Sequence, residues 1–319
     1  MARRRIFLLG ATGTIGAATA RAGAERGDEV VCFLRRPSAQ LPQEAIVRVG
    51  DPTDTQSLLR DGVKDEAFDA VISCLASRTG VASDAWAIDH DAQLAALAAA
   101  QAAGIPHFVL LSAICVQKPR LAFQHAKLAF EAALAASGIR YSIVRPTAYF
   151  KSLSGQVERV RRGKPYLLFG DGTLTACKPI SDHDLGRYLI GCIDDPDCWN
   201  RILPIGGPGA AITPREQAEH LFALFGKSPR FRQVPPRLLD TIAGLLERAA
   251  KVVPSLAAKA ELARIGRYYA TESMLVLDPI TGRYDANATP STGTEHLFDH
   301  YARLARGEVR NERGEHAVF

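Results

Sequence analysis

Gly10, Gly13 and Gly16 lie between the apolar run Ile6-Phe7-Leu8-Leu9 and Ala17-Ala18-Thr19-Ala20-Arg21-Ala22, a segment with the composition of a helix start. That order is a buried strand, a glycine turn and a helix. Glycine suits the turn because the backbone must take conformations a Cβ forbids, and because phosphate oxygens must come within hydrogen-bond distance of main-chain N–H groups. The helix N-terminus then faces a pyrophosphate, with Thr12, Thr14 and Ile15 lining the same turn. Tight packing of strand on helix would use glycines too, but the position after a first strand favours dinucleotide binding. A second strand, Glu29-Val30-Val31-Cys32-Phe33-Leu34, ends in Arg35-Arg36. An acid at that place accepts hydrogen bonds from ribose hydroxyls and selects NAD, whereas arginine pairs with a 2′-phosphate. NADPH is therefore the expected cofactor.

The elements that position these residues alternate. Strands are expected at Ala45–Val49, Phe68–Leu75, His107–Ser112 and Arg140–Thr147, with an alanine-rich helix from about Ala87 to Ala103 before Gly104-Ile105-Pro106. Thr53 or Asp54 would cap the helix after the third strand. Strands separated by helices at this spacing imply right-handed βαβ units and a parallel sheet. The fold class is α/β, a doubly wound parallel Rossmann sheet with a smaller C-terminal α+β substrate region. The cofactor should cross the carboxyl ends of the strands, past Ala76-Ser77 and Ser112. We divide the chain into an NADP-binding domain over residues 1–150, whose core also takes 181–206, and a substrate-binding region over 151–319.

Composition narrows the class. Of the 319 residues, 47% are hydrophobic and 23% charged, with a net charge of +5 that is dispersed rather than blocked, so nucleic acid is not an expected partner. No apolar run is long enough to cross a bilayer. Only five residues precede the first strand, which leaves no room for a secretory or transit segment, and a cytoplasmic location is expected. The six cysteines show no C-x-x-C spacing, so no metal site is expected and they read as reduced packing residues. His90, between Asp89 and Asp91, has no second histidine four residues away and reads as a solvated or helix-packing residue.

The G-x-x-G-x-x-G turn resembles the extended and atypical branches of the short-chain dehydrogenase/reductase superfamily. That resemblance implies that Asp51 lies near the adenine and that Pro146 borders the nicotinamide. It also implies a Y-x-x-x-K motif on the helix after the fifth strand, whose tyrosine protonates a carbonyl oxygen and whose lysine holds the nicotinamide ribose. Here the helix reads Phe123-Gln124-His125-Ala126-Lys127: the lysine is kept and the tyrosine is Phe123. Hydride delivery to a ketone needs an acid for the developing alkoxide, so a carbon–carbon double bond is the better substrate.

Further blocks carry a closer resemblance: Phe150-Lys151-Ser152-Leu153-Ser154-Gly155, Gly163-Lys164-Pro165-Tyr166, Phe169-Gly170-Asp171-Gly172, Cys177-Lys178-Pro179-Ile180-Ser181, Leu203-Pro204-Ile205-Gly206-Gly207 and Ile265-Gly266-Arg267-Tyr268-Tyr269-Ala270-Thr271-Glu272-Ser273. Together they are similar to the NADPH-dependent divinyl chlorophyllide 8-vinyl reductases. The resemblance implies a magnesium tetrapyrrole substrate, divinyl chlorophyllide a or its protochlorophyllide precursor, reduced from vinyl to ethyl in chlorophyll or bacteriochlorophyll synthesis, and a photosynthetic bacterium as source. Hydride at the terminal vinyl carbon leaves negative charge that spreads into the macrocycle, so no tyrosine acid is required. Lys127 is the expected catalytic residue, and His125, Tyr149, Tyr166 or water are candidates for the later protonation. Phe123, Phe150, Lys178 and Tyr268 are candidates for touching the ring or its propionate. Three rivals use the same Rossmann turn: a non-catalytic NADP-binding redox sensor, a structural subunit docked on a membrane complex, and an isoflavone-reductase-like ene-reductase.

In the second region Ser181-Asp182-His183-Asp184 and Thr213-Pro214-Arg215-Glu216 read as capping boxes, and Gly226 as the end of the second of these helices. Pro236 to Val253 carries apolar residues at helical spacing. Such a helix packs on the domain, closes over a macrocycle or rests on a membrane surface. The charged tail after Gly307 reads as frayed.

Overall fold

The computed structural model describes residues 3–38 and 41–309; the end of the charged tail, residues 310–319, lies outside them. The chain divides into two units, one of residues 1–77, 82–146 and 182–205, the other of residues 78–81, 147–181 and 206–319.

The first unit is built on a seven-stranded sheet: β1 (Arg5–Leu9), β2 (Glu29–Leu34), β3 (Ile46–Val49), β4 (Ala70–Ser73), β5 (His107–Leu111), β6 (Arg140–Pro146) and β8 (Arg201–Ile205), in the order β3-β2-β1-β4-β5-β6-β8 and parallel throughout. Central strands covered on both faces read as continuous apolar runs, as Ile6 to Leu9 do. The chain runs outward from β1 to β3, then returns to the other side of β1 as β4. This reversal is the switch point where ligands of such sheets bind.

Helices cover both faces. On one, α2 (Ala92–Ala102) and α3 (Ala122–Ala136) enclose Phe7, Phe33, Phe68, Phe108, Phe130 and Leu134 in an apolar core. On the other, α1 (Thr14–Arg26) meets α4 (Asp182–Gly191) through small residues: a Cβ on Gly186 would lie 2.7 Å from the Ala18 carbonyl carbon. Asp194, just past α4, accepts from Arg4 (2.8 Å) and Arg26 (2.9 Å), which ties this returning segment to the start of the sheet.

The seventh strand, β8, carries Pro204, a residue that argues against a central strand. It sits at the sheet edge, where proline's missing N–H costs no ladder bond. The expected helix Ala87–Ala103 is regular only from Ala92. Before it, Trp86–Asp91 forms a wider turn in which the Ala92 N–H reaches back to the Ala87 carbonyl. Alanine packs on any face, so its run carried no trace of this change of phase.

The second unit has its own core, in which Val157, Val160, Leu168, Leu221, Phe222 and Tyr301 are all buried. Around it lie the parallel pair β7 (Tyr166–Phe169) and β9 (Phe231–Val234), the two-residue pair β10 (Val276–Leu277) and β11 (Tyr284–Asp285), and helices α5 (Pro214–Leu224), α6 (Arg237–Ala250), α7 (Ala257–Tyr269) and α8 (Leu297–Arg306). The Thr213–Glu216 capping box forms as its spacing predicts, and Gly226 follows α5 at φ +62.

Candidate functional site

The three glycines of the first turn do different work. Gly10 sits at φ +76, and a Cβ there would lie 2.5 Å from the Cys74 carbonyl on the neighbouring strand. A Cβ on Gly16 would lie 2.2 Å from the Gly10 oxygen. Gly10 is required by the approach of the turn to the chain leaving β4, and Gly16 by the approach of α1 to the turn. Gly13 is not: its φ of −77 and ψ of 161 are open to any residue, and a Cβ there would meet only the Gly10 oxygen, at 3.4 Å. It is exposed, with Thr12 and Thr14, at the start of α1, where no side chain caps the helix and no acidic residue occupies the first turn. An uncapped N-terminus in a glycine cradle is complementary to phosphate oxygens. Ile15 is buried beneath it.

The neighbouring strand ends complete this rim. Arg35 and Arg36 follow β2, are exposed, and form no salt bridge among the described residues. Asp51 follows β3, and its carboxylate is fixed by the Thr53 hydroxyl (2.7 Å) and N–H (2.9 Å). Those bonds, with a smaller contribution from Arg35, hold it below the usual carboxylate range. Asp54, of the two residues expected to cap the next helix, accepts from the Gln56 and Ser57 N–H groups. Ala76 is exposed past β4, and Ser77 donates its N–H to Asp89 at 3.4 Å.

Lys127 lies on α3, whose start is fixed by the buried Gln124, accepting from the Arg120 and Leu121 N–H groups and donating to the Cys115 carbonyl. Its ammonium is 2.9 Å from Asp89 Oδ1, in a buried ion pair. Asp89 Oδ2 is buried and has no hydrogen-bond partner among the described residues. Phe123 is half-buried one turn before Lys127 on the same face, while His125, two residues away from each, points from the opposite side of the helix and is exposed. His125 therefore drops out as a proton donor beside Lys127. One turn after Lys127, Glu131 is buried and takes the Arg145 guanidinium, Nε at 3.1 Å, together with the Ser112 hydroxyl. Ser112, expected to face the cofactor, has its side chain committed to this carboxylate. Pro146 is buried at the end of β6.

In the second unit, Tyr149 is half-buried. Phe150 and Tyr166 are core residues, and burial pushes the Tyr166 phenol well above its ordinary range. A phenol in such a core has no surface to offer a substrate, so Tyr166 too drops out as a proton donor, and Phe150 as a ring contact. Lys178 donates to the Thr289 carbonyl (2.8 Å) and the Ser291 hydroxyl (3.2 Å), and Tyr268 is buried. The polar head of the one and the ring of the other are thus already engaged by the protein.

Residues 10–196 match the NAD(P)H-binding family. A chloroplastic divinyl chlorophyllide a 8-vinyl-reductase of Oryza sativa subsp. indica is 48% identical over 98% of this chain and 82% of its own length. That of Arabidopsis thaliana is 46% identical over 97% of this chain and 79% of its own. The chain belongs to the divinyl chlorophyllide a 8-vinyl-reductase family. An NADPH-dependent quinone oxidoreductase of Escherichia coli, solved with NADPH, superimposes with a TM-score of 0.70 over 94% of this chain and 99% of that one, at 18% identity, and shows that the two share a fold.

Against that membership, Asp89 and Glu131 stand out as residues the sequence did not single out. Glu131 had a signal: Phe123, Lys127 and Glu131 recur at four-residue steps, one stripe of a helix. Asp89 had none. Its inward aim depends on the widened turn Trp86–Asp91, and its partner is 38 residues away in sequence. His90 packs on Trp86 at 5.1 Å and bonds Asp91, as its helix-packing reading had it.

Proposed function

We propose that this chain reduces the 8-vinyl group of 3,8-divinyl chlorophyllide a, or of divinyl protochlorophyllide, to ethyl with NADPH. The near-full-length identity to reductases named for that substrate carries the reading. NADPH, when bound, supplies the hydride. The open cradle at Gly13 with the uncapped start of α1 holds its pyrophosphate, and Arg35 and Arg36 take the 2′-phosphate. Lys127, anchored by Asp89, holds the nicotinamide ribose.

The chemistry matches the residues. Hydride adds to the terminal vinyl carbon, the π electrons move to the inner carbon and into the macrocycle, and a proton then closes the ethyl group. No alkoxide forms, so Phe123 in place of an acid costs the reaction nothing. With His125 and Tyr166 set aside, Tyr149 or a water supplies the proton. The second unit is the substrate-binding region.

Anaerobic incubation with divinyl chlorophyllide a and NADPH should yield a product heavier by two hydrogens with a blue-shifted Soret band. Tight NADPH binding without turnover would sink the reductase reading and favour an NADP-sensing protein. Tyr149→Phe should slow turnover at least tenfold if the phenol is the donor, and leave it unchanged if water is.

A further inference from the structure

In the second unit, α6 turns two different faces outward and inward. Leu239, Ala243 and Leu246 lie toward α7, and Ala243 is buried. On the other side, Leu238 (48% exposed), Ile242 (38%) and Leu245 (59%) form a stripe at helical spacing, continued past the helix end by Val252 (84%). Surface leucines are ordinary singly, but an unbroken stripe over the whole helix is not.

The charges beside the stripe are sorted by sign. Both acids of α6 are taken by α7: Asp240 pairs with Arg267 at 3.0 Å and Glu247 with Arg264 at 2.5 Å. Arg237, Arg248 and Lys251 are exposed and form no ion pair among the described residues. At 100° per residue these three fall on one flank of the stripe, between it and the positions of Asp240 and Glu247 that meet α7. A helix with an apolar face and a rim of unpaired cations has the chemistry of an interfacial helix on anionic lipid. Self-association through this face is disfavoured, since a two-fold contact would bring the same cations together with both acids already engaged.

We infer that α6 docks the second unit on an anionic phospholipid surface, with Leu238, Ile242, Leu245 and Val252 in the acyl boundary and Arg237, Arg248 and Lys251 among the headgroups. The inference is independent of the reductase reading. It gives the protein a place at the surface where an amphiphilic substrate would be met.

The test is co-sedimentation of the full chain with vesicles of phosphatidylcholine alone or mixed with phosphatidylglycerol. Binding is expected to the mixed vesicles only and to fall with salt. Arg237→Gln/Arg248→Gln/Lys251→Gln should weaken it on the order of 100-fold, from about 1 kcal/mol per basic residue. Leu238→Glu/Leu245→Glu should abolish it. NADPH affinity, which involves none of these residues, should be unchanged in both variants and reports that they fold. Absence of vesicle binding by the unaltered chain overturns the proposal. So does binding that Leu238→Glu/Leu245→Glu leaves intact, or a dimer in solution that this variant dissolves. A rise in KM for soluble divinyl chlorophyllide in that variant, with vesicle binding retained, would assign the face to the pigment instead.

Discussion

Substituting Gly13 and Gly16 of the first turn one at a time separates what the fold needs from what the cofactor needs. Gly13→Ala adds a methyl group that the free protein accommodates: φ is −77, and the nearest atom, the Gly10 oxygen, is 3.4 Å away. A Gly→Ala change at a compatible φ gains about 0.4–1 kcal/mol through the unfolded chain. Alanine is a poorer N-cap than glycine by an amount of similar size. The two offset, and unfolding free energy should move by less than about 0.5 kcal/mol. NADPH binding should suffer, because the methyl occupies the space through which a phosphate reaches the α1 amides. Loss of one charge-assisted hydrogen bond costs roughly 1.5–3 kcal/mol, or about 10- to 150-fold in Kd. Gly16→Ala is the opposite control: its Cβ, 2.2 Å from the Gly10 oxygen, forces α1 and the turn apart and should destabilise by about 3 kcal/mol or more. Urea denaturation and NADPH fluorescence titration read the two quantities. A Gly13→Ala protein that binds NADPH normally would refute the placement of the pyrophosphate, and one that unfolds would refute the division of labour among the glycines.

Other consequences follow from the same geometry. Arg35→Ala should raise KM for NADPH roughly tenfold and leave KM for NADH unchanged, since a 2′-phosphate contact is worth about 1.4 kcal/mol or more. Equal effects on both cofactors would remove Arg35 from phosphate recognition. Asp89→Asn should destabilise by about 3 kcal/mol, as breaking one side of a buried ion pair does, and should raise KM for NADPH; Lys127→Met together with Asp89→Leu should cost less than the sum of the single changes. Additive losses would mean that the pair does not act as one. Burial, with help from Arg140, pushes His107 down to about 4 from an ordinary 6.5. The unfolded chain thus binds the extra proton first. Stability is full above pH 6.5 and falls by about 2–3 kcal/mol as pH drops toward 4, and His107→Gln should flatten that part of the pH profile measured by denaturation.

How far the sequence disclosed this molecule depended on whether a feature was local. The strand–turn–helix at Gly10–Gly16 was legible because glycine spacing, the preceding apolar run and the helix start all sit within a few residues. The same holds for the Thr213–Glu216 box and for the basic end of β2. The pair β7–β9 was not legible, since four-residue strands whose partners lie 65 residues apart show no alternation long enough to read. Pro204 hid β8, because nothing local says that this strand is an edge. At the site, Lys127 was visible and its partner was not. Asp89 acquires its aim from a backbone widening that alanine-rich sequence tolerates silently, and Ser112 turned out to serve Glu131. Long-range pairing of this kind is a property of the packed sheet and its helices, not of any window along the chain.

Hydride transfer to a vinyl carbon leaves an isotopic trace in the product. Divinyl chlorophyllide a would be turned over anaerobically with NADPH carrying deuterium at both positions of nicotinamide carbon 4, and the pigment analysed by mass and NMR. One deuterium in the terminal methyl of a new 8-ethyl group, with the inner-carbon hydrogen drawn from solvent, is the predicted result. Deuterium at the inner carbon, or an ethyl product free of label, would contradict the mechanism, and an unreduced pigment would contradict the function itself.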